Sequence, residues 1–135
     1  MIVVCFFSVH VPFIFVSKLE DVSLPASPSA SVKLNCIAKS SPQRPPAYEW
    51  RKDGQVLSES SSSITITYSS ATDIYKNYHC ARKSISLREV QCSSTYQCSV
   101  SLTGLQLKGD TKGNVNVTLR KWEWSLKEYL SIYVS

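Results

Sequence analysis

Histidine is scarce in this chain. Only His10 and His79 occur, and only His79 lies beyond the apolar N-terminal stretch. No Gly-x-Ser-x-Gly elbow, phosphate-cradling glycine loop or zinc-protease helix motif accompanies it. The carboxylates Asp21, Asp53, Glu59, Asp73, Glu89 and Asp110 are scattered among turns, where their ordinary role is solvation. The serines are abundant but lie in loops with no base near them in sequence. Catalysis is therefore not expected. Runs of lysine or arginine are also missing, which sets nucleic acid aside. A net charge of +5 still allows weak attraction to acidic proteins, glycans or lipid head groups. No apolar stretch of about 20 residues follows the N-terminal segment, so no membrane span is expected. The cysteine spacing C-x11-C-x5-C contains no C-x2-C knuckle, and His79 adjoins Cys80, so both could not easily hold one ion. Neither zinc nor any other cofactor is expected.

What is present fits one exported domain. A chain of 135 residues, 43% hydrophobic and 19% charged, suits a single globular unit. Residues 1–17, MIVVCFFSVHVPFIFVS, are mostly apolar and read as a signal peptide. They lack a basic residue ahead of the apolar run, and Phe15-Val16-Ser17 is a poor small-x-small cleavage site. The alternative is a buried N-terminal strand. Cys5 would leave with a signal, and Cys36, Cys80, Cys92 and Cys98 remain. An even number in a small exported domain implies two disulfides, with three pairings open. The expected location is secreted, or the extracellular face of the plasma membrane.

Period-two alternation dominates the middle of the chain, while helical periodicity is weak there. Val32, Leu34, Cys36 and Ala38 share one face. Tyr48 and Trp50 alternate with Glu49 and Arg51. Ile64, Ile66 and Tyr68 form a third series, Tyr96, Cys98, Val100 and Leu102 a fourth, and Val115, Val117 and Leu119 a fifth. One dry and one wet face per strand is the pattern of an all-β antiparallel sandwich. Breaks fall at the proline-rich residues 40–46, at Lys52-Asp53-Gly54-Gln55, at the polar residues 59–63, and at 108–113, which read as a flexible charged loop.

The pattern Tyr-x-Cys occurs twice, as Tyr78-His79-Cys80 and Tyr96-Gln97-Cys98. Cys36 is followed after thirteen residues by Trp50, then by Lys52-Asp53-Gly54, Leu57, Ile64-x-Ile66, Asp73 and Tyr78-x-Cys80. This constellation resembles the immunoglobulin superfamily, over roughly residues 22–82 and at its widest to Leu119. The stretch from Ala47 to Gly54 most resembles compact C2/I-type domains of siglec-type and other leukocyte or adhesion receptors. The resemblance implies an immunoglobulin-like two-sheet sandwich over residues 18–120, with a tail of undecided structure at 121–135. It implies a cysteine bridge between the sheets, Trp50 packed on that bridge, and Tyr78 as the corner tyrosine of the core. Linear spacing favours Cys36–Cys80, with Cys92 and Cys98 as the second pair. Cys36–Cys98 with Cys80–Cys92 stays open, because Val100 and Leu102 continue the dry face of Cys98. In that arrangement residues 69–92 form an insertion.

The resemblance further implies non-catalytic recognition or adhesion, with a protein or glycan at a cell surface as the partner. A soluble decoy and a spacer fragment of a larger receptor are the alternatives. Arg82, Lys83 and Arg88 form a basic connection that could meet an acidic partner or a sulfated glycan. Siglec-type domains hold sialic acid with an arginine on a variable-type domain. Arg82 does not match it, so that role is not carried over. Asn116-Val117-Thr118 is an acceptor for N-glycosylation on the wet face of its strand.

Overall fold

The computed structural model describes residues 13–40, 45–81, 89–102 and 108–120. Its elements run β1 (Phe13–Ser17), β2 (Val22–Ser23), β3 (Ser31–Asn35), β4 (Ile37–Ser40), β5 (Pro46–Lys52), β6 (Gln55–Val56), β7 (Ser63–Thr67), α1 (Ala71–Asn77), β8 (His79–Cys80), β9 (Glu89–Leu102) and β10 (Lys108–Arg120). One layer has the strand order β2-β10-β9-β5-β6, with β8 added beside β9. The other is built from two short pairs, β1 with β4 and β3 with β7. β3 and β4 are nearly continuous, interrupted only at Cys36. All pairings are antiparallel except that of β2, which lies parallel to β10.

Alternation produces these layers. Along β9 every second residue from Val90 to Leu102 is buried, and β10 repeats this from Thr111 to Leu119. Leu34, Cys36 and Ala38 supply the facing layer, with Ile64 and Tyr68 beside them. Trp50 is fully buried at the centre. Its indole Nε1–H donates to the Ser61 carbonyl at 2.7 Å, so burial leaves no orphan donor. The Tyr48 hydroxyl on β5 accepts from the Ala38 N–H on β4 at 3.1 Å and so ties one layer to the other. The turn after β5 is the expected one. Asp53 (φ 49°) and Gly54 (φ 87°) both take positive φ, as a tight hairpin turn requires.

Three features depart from the sequence reading. Residues 108–113 are not a loop. They form the first half of β10 and pair with Tyr96–Ser101 of β9, from Lys108↔Ser101 to Gly113↔Tyr96. Gly113 is there for proximity: a Cβ would lie 2.6 Å from the Glu20 carbonyl oxygen. The second is α1, which the weak helical pattern hid. Ser70 caps it by accepting from the Asp73 N–H at 3.1 Å, and Ala71 and Ile74 bury its inner side. The third is β1, inside the segment read as a leader. It pairs with β4, placing Phe15 partly against the core and leaving Ile14 and Val16 exposed.

Candidate functional site

The doubled Tyr-x-Cys is resolved by strand register. On β9, Cys98 lies directly opposite Trp50 of β5. Cys98 is bonded to Cys36 of the facing layer, and both are fully buried. Cys80 lies on β8 opposite Cys92 and is bonded to it. The favoured pairing Cys36–Cys80, with Cys92–Cys98, is therefore corrected. The reason is that Cys80 lies directly opposite Cys92 at the margin of the sheet and shares its inner face, while the position beside Trp50 that meets Cys36 belongs to Cys98. α1 occupies the chain where the spacing rule expected a direct run into the strand, and β8 adds to the edge of β9 instead. The second Tyr-x-Cys is structural, and the first pins an insertion.

Tyr78 is corrected with it. It follows α1 and is half-buried at the core margin, where its N–H donates to the Ile74 carbonyl. The position two residues before the bridging cysteine belongs to Tyr96, which is buried. The two phenols are hydrogen-bonded, and the bond opposes ionisation of Tyr96 while easing that of Tyr78. Burial is the largest influence on both and pushes both phenols above their ordinary pKa. The Lys52 Nζ lies 4.9 Å from the Tyr78 ring centre and also donates to the Asn77 carbonyl.

Next to this pair lies a cluster at the Asp53 turn. The Ser94 hydroxyl donates to Asp53 Oδ2, and the Thr95 N–H donates to Oδ1 at 3.0 Å. Lys52 Nζ is 3.4 Å from Oδ2, and His79 Nε2 is 3.5 Å from Oδ1. Burial raises the Asp53 pKa, but Ser94, Thr95 and Lys52 outweigh it and hold the carboxyl below its ordinary value. A serine, a histidine and an aspartate thus meet, but in the wrong order for a nucleophile. The aspartate sits between the other two, whereas a base must sit between nucleophile and acid. Ser94 is buried and spends its proton on the carboxylate. The cluster fastens the turn after β5 to the middle of β9. Among the described residues no group of three or more His, Cys, Asp or Glu side chains could hold a metal ion.

The wet face of the longer layer is a broad surface among the described residues. Gln91, Ser93, Thr95, Gln97, Ser99 and Ser101 project from β9 between its buried residues. Pairs bridge them to β10: Thr95 donates to Asn114 Oδ1 at 2.7 Å, and Thr118 donates to Gln91 Oε1 at 2.8 Å. Toward β5 stand Glu49 and Arg51, paired at 3.2 Å. Val56 of β6 lies directly opposite Arg51 and so shares this face, with 57% of its surface exposed. On the β10 side the face also carries Lys108, Asp110, Lys112 and Arg120, so a mixed surface of hydroxyls, amides and charges holds one exposed aliphatic group, Val56, beside Arg51 at its β6 edge. Val56 was missed from sequence, because its outward side follows from pairing and not from its own short strand. Asn116 stands exposed near the β2 edge of the same face. Arg82, Lys83 and Arg88 lie outside the described residues, as does the tail 121–135.

No family model matches the chain. No curated protein matches it either. Solved structures do. A structure of Sidekick-1 immunoglobulin domains 1–5 aligns with a TM-score of 0.53 and 20% identity, covering 81% of this chain and 20% of that one. The structure of Sidekick-1 immunoglobulin domains 1–4 aligns with a TM-score of 0.52 and 20% identity, covering 78% of this chain and 24% of the other. The chain thus spans only about a fifth to a quarter of those multidomain fragments. At this identity the likeness speaks for the fold. With the inter-sheet bridge, the buried indole opposite it and the two layers, it identifies the chain as an immunoglobulin-like domain of all-β sandwich class.

Proposed function

We propose that the chain is a non-catalytic extracellular recognition module that docks a protein partner on the wet face of the β2-β10-β9-β5-β6 layer. The observation that carries this reading is the position of Val56, an exposed aliphatic group beside Arg51, at the edge of a surface of hydroxyls, amides and charged side chains. Recognition surfaces concentrate their energy in a few apolar and arginine anchors and surround them with polar complementarity. Two disulfides in one small sandwich suit an oxidising compartment, which supports export. Arg82, Lys83 and Arg88 are proposed as a further contact for an acidic group on the partner.

Fluorescent tetramers of the purified domain, applied to cells of the source organism, test the reading. Binding is expected for the parent domain. Val56→Asp and Gln97→Arg are expected to abolish it, while Lys33→Glu on the opposite layer leaves it intact. Reversing Arg82, Lys83 and Arg88 together should weaken binding. Protease treatment of the cells should remove it. Loss after glycosidase treatment alone would assign a glycan partner instead. Equal binding by the parent and Val56→Asp domains would remove this face from consideration.

A further inference from the structure

We propose that the hollow at the β2 edge of the sheet seats the first sugar of an N-linked glycan carried by Asn116. The inference rests on the exported reading above and says where the modification goes. The hollow is open and about 460 Å³ in volume, and Asn116 is itself part of its wall. Pro25 and Ala26 give it an apolar side, while Ser23, Gln91 and Arg120 give it a polar one. An N-acetylhexosamine has the matching division. Its C–H face and acetyl methyl are apolar, and its hydroxyls and amide run round the rim. The volume lies within the range of small-molecule pockets. The sugar arrives already tethered, so its docking costs little translational entropy.

The same geometry dictates when attachment occurs. Asn116 sits in the middle of β10, opposite Ser93 of β9 and beside Ser23 of β2. Its carbonyl accepts from the Leu24 N–H at 2.8 Å. The Thr118 hydroxyl is bonded to Gln91. An acceptor segment paired on both sides cannot enter a transferase, so transfer precedes closure of the sheet. In that step the Asn116 Nδ2 forms a bond to C1 of a lipid-diphosphate-linked oligosaccharide. The C1–O bond to the diphosphate breaks, the lipid diphosphate leaves, and the amide gives up one proton.

The test uses the full chain made in eukaryotic secretory cells behind a heterologous cleavable signal, so that failure of the native leader cannot obscure the result. Export by the native N-terminus is scored separately and bears only on the extracellular reading. Peptide mass spectrometry is expected to find hexosamine on Asn116. Hydrogen exchange of residues 22–27 should be at least about threefold slower in the glycosylated protein than in Asn116→Gln. Thr118→Val, which leaves Asn116 in place, should exchange as Asn116→Gln does. Endoglycosidase trimming to a single N-acetylglucosamine should keep the protection. An unmodified Asn116, equal exchange in all forms, or protection lost on trimming would each overturn the proposal.

Discussion

Single residues in this domain act mainly by what they leave no room for or leave unsatisfied. Gly113 has the Glu20 backbone where a Cβ would go, and backbone cannot step aside as a flexible side chain can. Gly113→Ala is expected to cost about 1–3 kcal/mol, read as a lower urea midpoint at unchanged slope. Tyr96 buries a phenol whose hydrogen-bond partner is Tyr78. Tyr78→Phe leaves that buried hydroxyl without its partner and should cost about 1–3 kcal/mol. Both phenols have raised folded pKa values, so their contribution is complete below the unfolded value of about 10 and is lost as pH rises beyond it. Thermal melts from pH 8 to 12 should show that loss, and a Tyr78→Phe, Tyr96→Phe double variant should flatten it. Asp53 has the opposite sign. Its folded pKa is depressed, so its contribution is present above the unfolded carboxyl value and fades as pH falls toward the folded one. Asp53→Asn should be less stable near neutrality and less sensitive to acid below pH about 4.

At the scale of elements, the two disulfides divide the work. The Cys36–Cys98 bridge crosses between the layers at a sequence separation of 62, and Cys80–Cys92 joins neighbouring strands at a separation of 12. The chain-entropy model assigns them about 4 and about 3 kcal/mol. Cys36 and Cys98 are fully buried, whereas Cys80 is part-exposed. Mild reductant should therefore open Cys80–Cys92 first, and alkylation followed by peptide mass spectrometry should label Cys80 and Cys92 before the other pair. Unreduced digests should return Cys36 joined to Cys98. α1 depends on its cap, and Ser70→Ala should cost about 1 kcal/mol. A signal of this kind, Ser70-x-x-Asp73, stands in the sequence. It was masked because the surrounding spacing suggested a strand arriving at Tyr78.

For the whole molecule, the strand series around Trp50 was legible from residue type alone. Val32, Leu34, Cys36 and Ala38 point inward as alternation requires, and Asp53-Gly54 turns as that dipeptide must. The proposed recognition surface was less legible. Val56 belongs to a strand of two residues, too short to show a period, and only its place opposite Arg51 assigns its side. Residues 108–113 were misread for a related reason. Glycine and charge are turn signals in isolation, yet here they serve an outer sheet face and a close backbone approach.

Sequence by itself therefore determined the dry and wet sides of the longer alternating strands, because a strand's two faces follow from its own period of two. The resemblance to immunoglobulin-type domains implied that one cysteine of a Tyr-x-Cys pair would be tied to Cys36. The choice between the two copies was made by tertiary structure. Both obey the same local rule, and the difference between them is the partner strand each one meets. Cys98 comes to rest opposite Trp50, and Cys80 opposite Cys92. Register of this kind is set by contacts tens of residues apart, which no local pattern contains.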